Sequence, residues 1–115
     1  MLFGVEDRGD VHVYRATPDA ATEQVLGGRR AVMGYDLAGE VLAFVAATPT
    51  TLPEVFVRGA DGAERQLTSF GAAFLKAVPP SEPEHFTVLS PAGDVELDAW
   101  LVQPPNAGEL EGGAP

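Results

Sequence analysis

The sequence predicts an all-β fold made of antiparallel four-stranded β-propeller blades, which together form a partial propeller. Two observations support this prediction: short strand patterns follow one another with hardly any helical periodicity, and the pattern repeats after about 40 residues. Three aligned pairs give offsets of 40, 42 and 41 residues: Leu2 with Leu42, Tyr14 with Phe56, and Leu26 with Leu67. A period of ~40–45 residues with four strands per unit is typical of propeller blades. An antiparallel sandwich stays open as the alternative, since two copies could share this spacing by chance.

The first part of the chain predicts the last three strands of one blade. The apolar segment LFGVE (2–6) is followed by a DRGD turn. VHVYRA (11–16) alternates, with Val11 and Val13 on one face and His12 and Tyr14 on the other. A third short strand, EQVL, ends at the glycine pair that begins the interblade turn Gly27-Gly28-Arg29-Arg30.

Residues 31–68 predict one whole blade. Its strands are AVMGYDL, VLAFVAA, EVFVR and ERQLT. The second of these is a continuous apolar run, which is typical of an inner strand that is covered on both faces. PTTLP ends that strand because proline cannot donate to a ladder, and the Asp61-Gly62 pair predicts a hairpin turn between the last two strands.

The sequence pattern changes after Phe70. GAAFLKAV predicts a brief helical turn or an extended connector, and the proline-rich, acidic PPSEPEHF predicts a stiff, exposed linker. FTVLS, the turn PAGD and VELDAWLVQP predict a hairpin of a second kind. We therefore divide the chain into a partial propeller (1–78), a linker (79–84), a β-hairpin (85–105) and a disordered tail (106–115).

Charge and composition exclude several classes of function. Seventeen acidic and seven basic residues give a formal net charge of -10, so we expect neither a nucleic-acid partner nor a membrane partner. The absence of cysteine excludes disulfides and thiolate metal sites. No apolar run approaches the ~20 residues that span a bilayer, and the acidic start does not fit a signal peptide. A cytoplasmic location is therefore expected.

Short motifs occur in a fixed order from the second blade to the end of the hairpin. They are Pro53-Glu54-Val55-Phe56, Leu67-Thr68, Glu82-Pro83-Glu84, Trp100-Leu101 and Pro104-Pro105. In this order the chain resembles the prolyl oligopeptidase superfamily of serine peptidases, and most closely its acylaminoacyl-peptidase-like branch, over about residues 2–106. Two positions depart from the family pattern: Gly71 stands where an asparagine is usual, and Ala92-Gly93 stands where Asp-Gly is usual.

The resemblance implies structural roles for seven residues. Pro53, Glu54, Phe56, Leu67 and Thr68 would belong to the last propeller blade, and Trp100 and Pro104 would belong to a β-hairpin that resembles the start of an α/β-hydrolase domain. In such relatives the propeller covers the active site and admits peptides by size. The resemblance therefore implies a scaffold and substrate-gating role, with the hydrolase domain and the remaining propeller blades as partners.

The machinery for catalysis is missing from this sequence. In relatives the hydrolase domain carries a Gly-x-Ser-x-Gly elbow and, later, an aspartate and a histidine. Ser69, Ser81 and Ser90 lack glycines at that spacing, and a nucleophilic serine needs an adjacent base. His12 is interpreted as a structural or surface residue, and His85 is placed in the exposed linker. We therefore predict no catalytic, cofactor-binding or metal-binding residues, no cofactor, and no peptidase activity of this chain by itself.

Two acidic groups have alternative interpretations. Glu6, Asp7 and Asp10 could indicate calcium, but their spacing fits a turn better. Glu96 and Asp98 lie ~7 Å apart on one strand face, a separation that could suit a glycosidase pair, although acids on the wet face of a hairpin are commoner. Trp100 is interpreted as a core or interdomain packing anchor.

Two alternatives to the peptidase hypothesis stay open. The chain could be a stand-alone all-β protein-interaction module, because an incomplete propeller has unpaired strand edges that favour self-association. It could also resemble TolB-like propellers to which no hydrolase is attached. The Trp100 hairpin argues against that second alternative, since such propellers have no need of a hydrolase entry strand.

Overall fold

A computed structural model describes residues 1–105, and it confirms the all-β, partial-propeller fold class. Nine strands and one short helix occur within this range: β1 (Leu2–Asp7), β2 (Asp10–Thr17), β3 (Ala20–Leu26), β4 (Ala31–Ala38), β5 (Val41–Ala47), β6 (Glu54–Arg58), β7 (Glu64–Gln66), α1 (Ala72–Ala77), β8 (Glu84–Leu89) and β9 (Glu96–Leu101). The tail predicted to be disordered, 106–115, lies outside the described residues. No helix within residues 1–105 is long and apolar enough to cross a membrane.

The first blade has three antiparallel strands, with β2 between β1 and β3. The turn between β1 and β2 has positive φ at both central residues, 50° at Arg8 and 86° at Gly9. Two positive φ angles in succession are the mark of a two-residue hairpin turn whose twist matches that of the flanking strands. The acidic segment around Asp7 and Asp10 is therefore a tight turn.

The second blade is a four-stranded antiparallel meander in the order β4-β5-β6-β7. Strands β5 and β6 have the bounds that the sequence predicts. Strand β7 ends two residues earlier than predicted, at Gln66. The Leu67 N–H still donates to Val55 O at 2.7 Å, but the Thr68 hydroxyl accepts the next bond, from the Val55 N–H at 2.9 Å. A side chain thus continues the edge of the blade where the backbone ladder stops.

The two blades pack face to face, and the hydrophobic core lies between them. The first blade contributes Val13 and Leu26 to the buried cluster, and the second contributes Val32, Leu42, Phe44 and Ala46. At one end of this interface the Val11 N–H donates to Arg30 O at 3.0 Å, which forms a single parallel bridge between β2 and β4. This arrangement is that of neighbouring propeller blades.

The prediction that β5 is covered on both faces is wrong for the described residues. The strand does lie inside the blade, between β4 and β6. Leu42, Phe44 and Ala46 are buried against the first blade, but Val41 is 47% exposed and Ala43 is also exposed. The apolar composition of the strand favours burial of both faces, but only one face contacts a neighbouring blade in residues 1–105.

One of the three aligned pairs is shifted by one residue. Phe3 stacks on its cross-strand partner Tyr14 with ring centroids 6.0 Å apart, and Phe44 stacks on its cross-strand partner Phe56 at 5.3 Å. Phe3 is therefore the equivalent of Phe44, and the alignment of Leu2 with Leu42 is wrong. A shift of one residue matters because it moves a strand side chain to the opposite face of the sheet.

The hairpin is a separate two-stranded sheet in which β8 pairs with β9 from Glu84↔Leu101 to Leu89↔Glu96. His85 is exposed, as expected, but it lies in β8, the first strand of the hairpin, and not in the linker. Alternation along the strands puts Phe86, Val88 and Leu97 on one face and the pair His85 and Trp100 on the other.

Candidate functional site

The Glu54 side chain fastens the end of the second blade to its third strand. Glu54 is the first residue of β6, and it is only 7% exposed. Its carboxylate accepts hydrogen bonds from the Thr68 hydroxyl at 2.7 Å, the Phe70 N–H at 2.9 Å and the Gly71 N–H at 2.9 Å. We call Glu54, Thr68, Phe70 and Gly71 the Glu54 cluster.

The Glu54 cluster keeps its carboxylate ionised. The hydrogen bond from the Gly71 N–H, followed by that from the Thr68 hydroxyl and then that from the Phe70 N–H, lowers the pKa of Glu54 below its ordinary value of 4.5. Burial acts in the opposite direction but does not prevail. Three internal donors occupy this carboxylate, which makes it a structural group and a poor candidate for a general base.

The Glu54 cluster also explains one departure from the family pattern. A Cβ atom at Gly71 would lie 2.8 Å from Leu52 Cβ, closer than side-chain carbons pack. Any larger residue at position 71 would have to displace the loop that carries Leu52. The glycine therefore lets the chain after β7 approach that loop and bring its N–H to Glu54.

A cleft of about 590 Å³ lies where the first blade, the linker and the hairpin meet. We call it the junction cleft. Its lining includes the turn residues Arg8 and Asp10, the interblade residue Arg29, and Pro83, His85 and Trp100 from the linker and hairpin.

Trp100 packs the hairpin against the first blade. A Cβ atom at Gly9 would lie 3.2 Å from Trp100 Cζ2, so the indole ring rests on the backbone of the β1–β2 turn. On its other side the indole meets the His85 ring, with centroids 5.0 Å apart and the planes tilted by 46°. His85 Nε2 in turn bonds Asp98 Oδ1 at 2.8 Å. Trp100 thus contacts the first blade while 42% of it stays exposed, and its role as a packing anchor stays a prediction.

The interblade turn adds polar contacts at the same junction. Arg29 forms an ion pair with Glu82 and donates from Nη2 to Pro83 O at 3.2 Å. The next residue, Arg30, pairs with Glu64 at 2.7 Å, and its guanidinium carbon lies 5.0 Å from the centroid of the Phe44 ring. The two arginines therefore hold the linker and the last strand of the second blade, respectively.

The remaining candidate residues do not come together as a catalytic group. His12 Nε2 donates to Gly28 O at 2.6 Å, which fixes the interblade turn. Ser90 donates to Asp94 in the hairpin turn at 2.9 Å. Within residues 1–105 no hydrogen bond joins a serine to either histidine, and no group of three or more His, Asp or Glu residues could hold a metal ion.

The family motif residues are spread over the second blade and the junction cleft. Glu54 and Thr68 bond each other in the Glu54 cluster, and Phe56 packs against the core between the blades. Leu67 is 49% exposed on the outer face of the second blade, and Trp100 lies at the junction cleft. Sequence reasoning missed the bond between Glu54 and Thr68. The sequence signal for this bond was an acidic residue, Glu54, at the start of a strand that follows the apolar strand β5. A carboxylate that is buried there needs hydrogen-bond donors nearby.

The fold and these contacts define a class of protein: two adjacent blades of a β-propeller that lead, through a tethered linker, into a separate hairpin. Comparison with solved structures gives Pyrococcus horikoshii acylaminoacyl peptidase, in an orthorhombic crystal form, at a TM-score of 0.74 and 33% identity. An acylaminoacyl peptidase in complex with Z-Gly-Gly-Phe-chloromethyl ketone matches at a TM-score of 0.75 and 33% identity. Both matches cover 90% of this chain and 16% of the other chain.

The resemblance to the acylaminoacyl-peptidase-like branch of the prolyl oligopeptidase superfamily is therefore confirmed, in sequence and in fold. The chain corresponds to a fragment of the propeller region and spans about 16% of the length of these solved structures. No protein-family model matches the sequence, and no match was found among curated proteins.

Proposed function

We propose that this chain is the non-catalytic junction between the propeller and the hydrolase domain of a serine peptidase that acts on peptides. In this role it supports the propeller and takes part in gating the substrate. The observation that carries the proposal is the match, at 33% identity over 90% of the chain, to acylaminoacyl peptidases.

The contacts at the junction suit a scaffold. Trp100 rests on the β1–β2 turn, Arg29 holds the linker through Glu82, and Glu54 fixes the segment that leaves the second blade. These contacts are spread along the path from propeller to hairpin, so each of them limits the angle at which a following domain can sit.

An apolar face of the hairpin supports a hydrolase domain as the proposed partner. Four apolar side chains on one of its faces are each between 43% and 46% exposed: Phe86, Val88, Leu97 and Leu101. A contiguous apolar face of this kind is typical of a surface that another protein segment covers. A hydrolase domain continuing from the hairpin would cover it, and the remaining propeller blades would cover the outer faces of the two blades.

A stand-alone all-β interaction module is the second candidate function. The observation that favours it is the exposure of apolar residues on the outer face of the second blade, such as Val41 and Leu67. A module of this kind would melt cooperatively as a monomer and would bind a separate protein.

The non-catalytic character can be tested on the purified chain. We expect no hydrolysis of an acylated peptide p-nitroanilide above the buffer rate. We also expect no adduct at His12 or His85 after treatment with Z-Gly-Gly-Phe-chloromethyl ketone, as read by intact mass. The Pyrococcus horikoshii acylaminoacyl peptidase serves as the positive control for hydrolysis. Turnover by the chain, or stoichiometric labelling of one histidine, would contradict the proposal.

A further inference from the structure

The junction cleft has the size and the lining of a small-molecule site. Ligand clefts in proteins measure ~300–1,000 Å³, are mostly apolar and carry a few charged or polar groups that orient the ligand. The junction cleft measures about 590 Å³, and Pro49, Pro83 and Trp100 form much of its apolar lining. Trp100 is 42% exposed, so part of its indole ring is open to a ligand.

The walls of the junction cleft are held in place by contacts within residues 1–105. The indole of Trp100 rests on Gly9, and Arg29 Nη2 donates to Pro83 O at 3.2 Å. Trp100 belongs to the side of the hairpin that contacts the first blade, whereas the apolar face with Phe86 lies on the opposite side. A hydrolase domain that packs on that opposite face leaves these walls in place.

Arg8 places a guanidinium at this cleft at a conformational cost. Its φ is 50°, and it is the one residue other than glycine with a positive φ in residues 1–105. Two-residue hairpin turns favour asparagine or aspartate at this position, because a positive φ suits those side chains better. Sparsely populated backbone conformations of this kind occur most often at binding and active sites.

No contact within the described part of the chain accounts for the Arg8 side chain. Asp7 and Asp10 flank its turn, but Arg8 forms no ion pair with either of them or with any other residue in 1–105. The other arginine at the cleft, Arg29, already pairs with Glu82. The guanidinium of Arg8 is therefore the cation that this cleft can offer to a ligand.

The charge of the cleft is opposite in sign to that of the chain. Two arginines, Arg8 and Arg29, and one aspartate, Asp10, line it, which leaves one formal positive charge in a chain with a net charge of -10. A guanidinium binds a carboxylate through two parallel hydrogen bonds, and an indole ring packs well on another aromatic ring. The ligand that fits both groups is an aromatic carboxylate.

We propose that the junction cleft binds the C-terminal residue of a peptide that ends in an aromatic side chain. Arg8 binds the terminal carboxylate, and Trp100 packs on the aromatic ring. The choice of a peptide as the ligand rests on the proposed function, whereas the binding of an aromatic carboxylate rests only on the lining of the cleft.

Fluorescence of Trp100, the single tryptophan, tests the proposal on the purified chain. The probe is N-acetyl-Gly-Gly-Phe with a free carboxylate, and we expect it to change the fluorescence in a saturable way. Its C-terminal amide, which lacks the charge, and N-acetyl-Gly-Gly-Ala, which lacks the ring, should each bind about tenfold more weakly. 3-Phenylpropionate should also bind more weakly than the probe. Equal binding of that simple acid would overturn the peptide as the ligand.

Two substitutions at Arg8 separate binding from folding. Arg8→Gln should weaken binding of the probe about tenfold. Arg8→Gly should do the same and leave the melting temperature nearly unchanged, because glycine adopts a positive φ without strain. Arg58→Gln is the matched control, since it removes the same charge from β6, outside the cleft.

Three results would overturn the proposal. The first is no saturable change in fluorescence up to ~10 mM probe, a concentration that detects even millimolar affinity. The second is an amide that binds as tightly as the free carboxylate. The third is an equal loss of affinity in Arg8→Gln and Arg58→Gln, because the net charge of the chain would then explain it. None of these measurements involves hydrolysis, so they stand apart from the tests of the peptidase proposal.

Discussion

Truncating Leu26 should destabilise the chain far more than truncating its repeat equivalent, Leu67. Leu26 is fully buried between the blades, so Leu26→Ala leaves a cavity that the packed sheets on either side cannot readily close. Such truncations cost ~2–5 kcal/mol, which is a large share of the ~5–15 kcal/mol that stabilises a typical domain. At ~4 °C or more per kcal/mol for a chain of this size, the melting temperature should fall by at least about 8 °C.

Leu67→Ala removes the same atoms from a side chain that is already 49% exposed. Full burial of a leucine is worth ~1.5–3 kcal/mol, so truncation of a half-exposed one should cost only about 1 kcal/mol. The two variants should therefore differ by at least about 1 kcal/mol, with Leu26→Ala the less stable.

Urea unfolding followed by circular dichroism measures both variants, at a dilution where the chain is monomeric. The dependence of the unfolding free energy on urea should be the same for both variants, because the surface exposed on unfolding is nearly unchanged. Equal losses of stability at the two positions would refute face-to-face packing of the blades, since the reasoning rests on the burial of one leucine and the exposure of the other.

Three further predictions concern the Glu54 cluster and the junction. The pKa of Glu54 is lowered in the folded chain, so the stabilisation from its carboxylate is present above pH 4.5 and is lost as pH falls through the lower folded pKa. In Glu54→Gln the melting temperature should therefore depend less on pH in that window. Plots of melting temperature against pH that run parallel for the variant and the wild-type chain would contradict this. Thr68→Val should cost ~1–3 kcal/mol in urea unfolding because the Val55 N–H loses its acceptor, and Thr68→Ser should restore most of it. Gly9→Val should push away the single tryptophan and shift its fluorescence to the red, whereas the control Gly39→Val, with positive φ and open space, should not.

The blade architecture could be predicted from the sequence because its signals are local. Apolar runs and alternation gave β5 and β6 with correct bounds, and the Asp61-Gly62 pair marked the turn between β6 and β7, where Gly62 has a φ of 84°. The period of about 41 residues followed from such signals as well. The one-residue error at Leu2 has a simple origin: the neighbouring Phe3 is also apolar, and only cross-strand stacking shows which of them lies on the outer face of the first blade.

Other features could not be predicted because they depend on residues that are distant in sequence. Glu54 and Thr68 are 14 positions apart, and their bond forms only after β6 and β7 have paired. The contact between Trp100 and Gly9 joins the two ends of the chain. The prediction that β5 is covered on both faces was wrong for a related reason. The composition of a strand shows that it favours burial, but it does not show which element buries it.

The central claim is that these residues serve as a propeller–hydrolase junction, and a graft tests it most directly. In the graft, the matching 16% of Pyrococcus horikoshii acylaminoacyl peptidase is replaced by this chain, and the enzyme's own segment, cut and reinserted by the same route, is the control. The measurement is kcat/KM for an acylated peptide. The account predicts a folded graft that keeps the control's activity to within about tenfold, a loss of ~1.4 kcal/mol or less in transition-state stabilisation. A graft that does not fold, or that folds without hydrolysing the peptide while the control remains active, would contradict the account.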